Sequence, residues 1–141
     1  MMEWILSKPL ESETNIRDYE QKYGIELPSR LITLIREHNG GRPRPNVFDT
    51  RVTKERVAKS LLSFNPSSVD NIWDTTANMR QRLPRDYYPF MIDQFGNYIC
   101  LYYDPLFEVP SVMFWDEEAQ TEEEITSSFD SYLDVFYEPV I

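Results

Sequence analysis

Residue types that carry much of protein chemistry are nearly missing from this sequence. A single cysteine, Cys100, permits neither an intrachain disulfide nor a cysteine-built zinc site, and such usage suits a reducing compartment, so a cytoplasmic location is expected. A single histidine, His38, leaves no second candidate for a histidine-dependent dyad or triad. It stands just before Asn39 and Gly40 at the end of an apolar-periodic segment, where a helix dipole favours a cation. Phosphate-cradling glycine loops, GxSxG, HExxH and calcium-loop spacings are all absent. No stretch approaches the roughly 20 apolar residues of a membrane span, and MMEWILSKPLESE lacks the basic start of an export signal. Neither a metal nor a cofactor is expected.

Positive charge is missing from one whole region. Residues 1–85 hold all 14 Lys and Arg against 11 acids, whereas residues 86–141 hold 13 acids and no base, for a net charge of −10. A uniformly acidic region repels phosphate backbones and anionic lipid and steers cationic proteins toward it. Direct nucleic-acid or membrane binding is therefore not expected.

What is present fits one compact domain over residues 1–141. The chain has 41% hydrophobic residues, no internal repeat, and punctuation spread evenly along it. In residues 10–24, Ile16, Tyr19 and Tyr23 recur at helical spacing before Gly24. A second helix is predicted from Pro28 through Leu31, Ile32, Leu34 and Ile35, stopping at Asn39, Gly40 and Gly41. RPRPNVFDTRV reads as a proline-bounded loop leading into an edge strand, and SLLSF as a strand ending at Asn65. Ser67 or Ser68 can cap a third helix carrying Val69, Ile72, Trp73, Thr76, Met79 and Leu83 as far as Pro84. YPFMID, GNYICLYYD and SVMFWD are aromatic and β-branched runs that predict adjacent antiparallel strands, the first two joined by a turn over Gln94–Gly96. Ser127 or Ser128 caps a last helix with Phe129, Tyr132, Leu133 and Phe136 on one face. The fold class is α+β, a mostly antiparallel sheet with helices packed on one side. Cys100, inside an aromatic strand, reads as buried and inert.

The most charged stretch is DEEAQTEEE, with Asp116, Glu117, Glu118, Glu122, Glu123 and Glu124. It lacks the glycine that calcium loops place at their turn. Acid–base pairs need contrasting environments, which one continuous polar loop does not offer. Two readings stay open: a solvated connection before the last helix, or an acidic rim around aromatic anchors for a basic protein partner. Trp73, Tyr103 and Trp115 are the candidate anchors.

The order of GIELPSRLITLIREHNGG, YPFMIDQFGNYICLYYD, SVMFWD and SSFDSYLDVF resembles the SUKH superfamily, in particular its branch related to the yeast Smi/Knr cell-wall regulators. Leu27 and Pro28 open a helix that ends in Asn39, Gly40 and Gly41. Ile92, Asp93, Gly96, Ile99, Cys100 and Leu101 form the strand–turn–strand piece, and Val112 and Trp115 the strand after it. The resemblance implies a SUKH-like fold and a non-enzymatic cytoplasmic immunity protein of bacterial competition. Such a protein binds and neutralises the effector domain of a cognate secreted polymorphic toxin, often a nuclease. It makes Pro28, Gly40, Gly41 and Gly96 structural and carries over no contact residue. A regulatory interaction module without a toxin is the alternative, and the oligomeric state, a homodimer included, stays open.

Overall fold

Helix α1 (Thr14–Tyr23) forms where Ile16 and Tyr19 share one buried face, and it stops at Gly24, whose φ of 65° ends the helix in left-handed geometry. In the computed structural model, which describes residues 2–139, α1 follows a short strand β1 (Glu3–Ile5) and precedes α2 (Ser29–His38). Pro28 sits immediately before α2 instead of inside its first turn, and its carbonyl accepts the Ile32 N–H at 3.0 Å. Leu31 and Ile35 are the buried residues of α2.

The end of α2 is a joint. The Asn39 side chain donates to the Lys8 carbonyl at 2.9 Å and to Ser63 Oγ at 3.0 Å, and accepts the Phe64 N–H at 2.8 Å. One buried amide thus ties the N-terminal segment to the chain that follows the first long strand, with its polar capacity spent. Gly40 then takes φ 69°, and Gly41 passes so close to the helix that a Cβ would lie 2.8 Å from the His38 carbonyl oxygen.

Strand β2 (Arg42–Arg44) pairs antiparallel with β1 to make a two-stranded ribbon. The remaining strands are β3 (Val47–Phe48), β4 (Arg56–Leu61), β5 (Tyr87–Asp93), β6 (Tyr98–Tyr102), β7 (Ser111–Asp116) and β8 (Thr121–Thr126). They form a six-stranded sheet in sequential order, every neighbouring pair antiparallel. Between β4 and β5 lies α3 (Ile72–Met79), and α4 (Phe129–Tyr132) follows β8. The sheet curls until Arg56, at the start of β4, stacks 3.7 Å over the Phe114 ring of β7 and pairs with Glu123 of β8 at 3.3 Å.

Alternation along the strands sorts the side chains onto two faces. Phe90, Ile99, Leu101, Val112 and Phe114 point into the main core beneath α1, α2 and α4. Tyr87, Cys100, Met113 and Trp115 point the other way, where Met79 and Leu83 cover part of them. The α+β class and the antiparallel sheet agree with the sequence reading. The helical layer is less one-sided than expected, because the end of α3 and the turn after it reach the outer face.

Several boundaries differ from expectation. The N-terminal strand β1 and its partner β2 were not foreseen, since three residues with a proline among them carry no readable period. The SLLSF strand lies about four residues earlier, at Arg56–Leu61, because β4 pairs through Ala58, Ser60 and Leu61 with β5. Helix α3 is eight residues long and is capped by Asn71, which accepts the Asp74 N–H at 2.7 Å, not by Ser67 or Ser68. Val69 lies outside it and is 91% exposed. The last helix is a single turn, capped by Ser128.

Candidate functional site

DEEAQTEEE is not one solvated loop. Asp116 closes β7, residues 117–120 make the turn, and Glu122, Glu123 and Glu124 belong to β8, the terminal strand of the sheet. The register places Glu122 opposite Trp115, Glu123 opposite Phe114 and Glu124 opposite Met113. Cross-strand partners share a face, so Glu122 and Glu124 stand on the outer face and Glu123 turns inward.

The six carboxylates consequently do not share one surrounding. Asp116 accepts the Ala119 N–H at 2.9 Å and shapes the turn. Glu117 pairs with Arg82 at 3.1 Å and accepts the Trp115 indole N–H at 3.4 Å, while its own N–H donates to Asn97 Oδ1. Glu123 pairs with Arg56 and accepts the Val52 N–H at 3.0 Å. Glu118, Glu122 and Glu124 are exposed and, among the described residues, pair with no base.

The three aromatic anchor candidates are held within the fold. Trp115 is 3% exposed. Trp73 is half-buried, with its indole N–H donating to the Phe64 carbonyl at 3.0 Å and its ring edge-on to Tyr19. Tyr103 donates its hydroxyl to the Glu26 carbonyl at 2.7 Å and stacks edge-on to Tyr88. Each spends its polar atom inside the protein; the Trp115 ring is also covered, whereas Trp73 and Tyr103 remain partly exposed. Of the structural residues, Gly40 and Gly96 have positive φ, the latter in the β5–β6 turn. That turn is organised by Asp93, whose carboxylate accepts the N–H groups of Phe95 and Asn97, each at 2.8 Å.

The outer face gathers what the sequence left scattered. Tyr87 and Tyr102 lie with ring centres 4.7 Å apart. Burial pushes the Tyr87 hydroxyl pKa well up, and the negative charge of Glu122 adds to it, so the carboxylates of β8 and the tyrosines of β5 and β6 share one field. Tyr98 is raised for the same reasons, by burial and then by Glu117. Beside this face the loop from β6 to β7, DPLFEVP, projects Leu106, Phe107 and Val109, which are 86%, 69% and 55% exposed. Sequence reasoning passed over this loop. Its signal was three apolar residues set between two prolines with no strand or helix period to bury them.

Chemically, the arrangement sets unpaired carboxylates beside exposed apolar side chains. Cys100 is fully buried and desolvation pushes its thiol pKa far up, which keeps it from acting as a nucleophile. Among the described residues no three His, Cys, Asp or Glu side chains converge on a metal position. No helix among them is long and apolar enough to cross a membrane. The model of the SMI1 / KNR4 family (SUKH-1) matches residues 11–135. No curated protein matches the chain.

Proposed function

The chain belongs to the SMI1 / KNR4 family (SUKH-1), and from that membership we propose that it is an immunity protein, which binds the effector domain of a cognate toxin and holds it inactive. It acts by occupation and not by catalysis, within the cytoplasm, where such a toxin would find its target. The observation that carries the reading beyond the family is the outer face of β6–β8, where Glu122 and Glu124 are exposed and form no ion pair among the described residues. A nuclease has to attract phosphate and is basic around its catalytic centre, so a carboxylate-bearing inhibitor gains a fast encounter and discrimination against acidic surfaces. The effector is accordingly a basic domain, a nuclease by preference.

Co-expression tests this directly. The effector domain encoded beside this chain is induced with and without it, and viable counts and co-purification are measured. Survival restored by the chain, with the two proteins purifying together, is the expected result. Survival equal to an empty vector overturns the proposal, and a gene neighbourhood with no toxin favours the regulatory module instead.

A further inference from the structure

Between the DPLFEVP loop and the β7–β8 hairpin lies a cleft of about 140 Å³. Its apolar walls are Tyr102, Phe107, Val109 and Met113, and its polar lining is Asp104 and Glu124, from opposite sides in sequence, with Ser111 and Ser127. Drug-sized ligands occupy roughly 300–1,000 Å³, so this space suits a single side chain and not a cofactor.

Its chemistry selects which side chain. A wall of aromatic rings, valine and methionine takes up a hydrocarbon stem, and carboxylates beside it take up a cationic head. Glu124 forms no ion pair among the described residues, and neither does Asp104, one of whose carboxylate oxygens accepts the Leu106 N–H at 3.0 Å. No Lys, Arg or His lines the cleft, none occurs from residue 86 to the end of the chain, and Arg51 and Lys54, which share a separate depression with Glu124, form no ion pair with it. The loop is restrained at its ends: Pro105 and the buried Pro110 bracket it, and the Phe107 N–H bonds to the Asp104 carbonyl at 3.0 Å. A cleft shaped before the partner arrives loses little entropy in binding.

We propose that this cleft receives one arginine or lysine side chain projecting from a basic protein partner, with the exposed Leu106, Phe107 and Val109 forming the apolar contact around it. The inference rests on the reading of the chain as an inhibitor of such a partner and names where that partner takes hold. It moves the centre of the surface from Trp73, Tyr103 and Trp115 to the loop beside β8.

Two measurements decide it, and they separate this contact from the immunity role. The first titrates the isotopically labelled full chain with an end-blocked Gly-Arg-Gly peptide up to millimolar concentration and follows the backbone amides by NMR. Shifts centred on Tyr102, Phe107, Val109 and Met113, absent with end-blocked Gly-Glu-Gly, are expected. No shifts there, or equal shifts with both peptides, overturn the proposal. The second measures binding of the neighbouring effector domain to the wild type and to F107A, E124Q and V69A. Phe107 and Glu124 are exposed, so both variants keep the wild-type melting point. F107A weakens binding about tenfold or more, E124Q slows association, and V69A, on a remote exposed site, matches wild type. Tight wild-type binding that F107A and E124Q leave unchanged overturns the cleft as the contact while the immunity role stands. Failure of the wild type to bind the effector overturns the immunity role, and the peptide titration then decides the cleft by itself.

Discussion

Gly40 has φ 69°, and the nearest atoms to an added Cβ belong to the flexible Lys8 side chain, 3.6 Å away, so the obstacle there is conformational. Gly41 has no positive φ; its obstacle is the His38 carbonyl oxygen, 2.8 Å from where a Cβ would stand. The neighbouring glycines are therefore needed for different reasons, although the sequence places both at the same helix stop. Gly40→Ala should destabilise by about 1 kcal/mol, and Gly40→Asn by less, because asparagine tolerates left-handed backbone. Gly41→Ala should destabilise more than Gly40→Ala, and Gly41→Asn should bring no relief, since the clash is with backbone. Urea unfolding of the four variants checks the order; equal losses at the two positions would refute the distinction.

Among the elements, β8 is the strand whose two faces behave most differently. Arg56 and Glu123 are 17% and 19% exposed, so the pair that closes the curl of the sheet is poorly screened, and the guanidinium also covers Phe114. A double-mutant cycle with Arg56→Met and Glu123→Gln should show coupling of about 1 kcal/mol. Glu122→Gln with Glu124→Gln should leave stability within about 0.5 kcal/mol of wild type. A second element-level tie joins the chain after α4 to β3: the Tyr137 hydroxyl donates to Asp49 Oδ1 at 2.6 Å, while Val47 and Tyr137 bridge through their backbones. That hydrogen bond, then the Glu55 N–H, holds the Asp49 carboxyl below its ordinary value of 3.8. A lowered folded pKa means that the tie contributes fully above 3.8 and is lost as pH falls through the lowered value. The protection of the Val47 and Tyr137 amides, taken as exchange relative to the intrinsic rate at each pH, should fall over that acid range in the wild type, and the step should shrink in Tyr137→Phe. The strands β5, β6 and β7 were legible because aromatic and β-branched runs of five to seven residues with a Gln94–Gly96 turn have few alternative conformations. Strand β8 was not: Thr121–Thr126 contains three consecutive glutamates with poor strand propensity, and its pairing comes from β7 and from Arg56, 67 residues away in sequence from Glu123. The exposure of Phe107 left a weaker trace, the lack of any burying period between Pro105 and Pro110, which decides little until the strands around the loop are placed.

At the scale of the whole molecule, the base-free residues 86–141 contain β5 to β8 and the loop beside the cleft, and Arg56 and Arg82 from the other segment pair with Glu123 and Glu117 there, leaving Glu118, Glu122 and Glu124 as exposed carboxylates. Association with a basic effector domain should slow as salt rises toward physiological strength, where the screening length is about 8 Å, while dissociation changes little. Stopped-flow mixing at two ionic strengths measures both rates, and a salt-independent association rate would remove steering from the account. The same placement of charge has a second effect. Strand β8 ends the sheet, and a terminal strand offers an unpaired ladder on which another copy could build. Every copy carries Glu122 and Glu124 on this strand, so two such edges approaching each other repel. Heating Glu122→Gln, Glu124→Gln beside the wild type under light scattering should show the neutralised edge forming aggregates at the lower temperature, with the melting point of the fold itself unmoved.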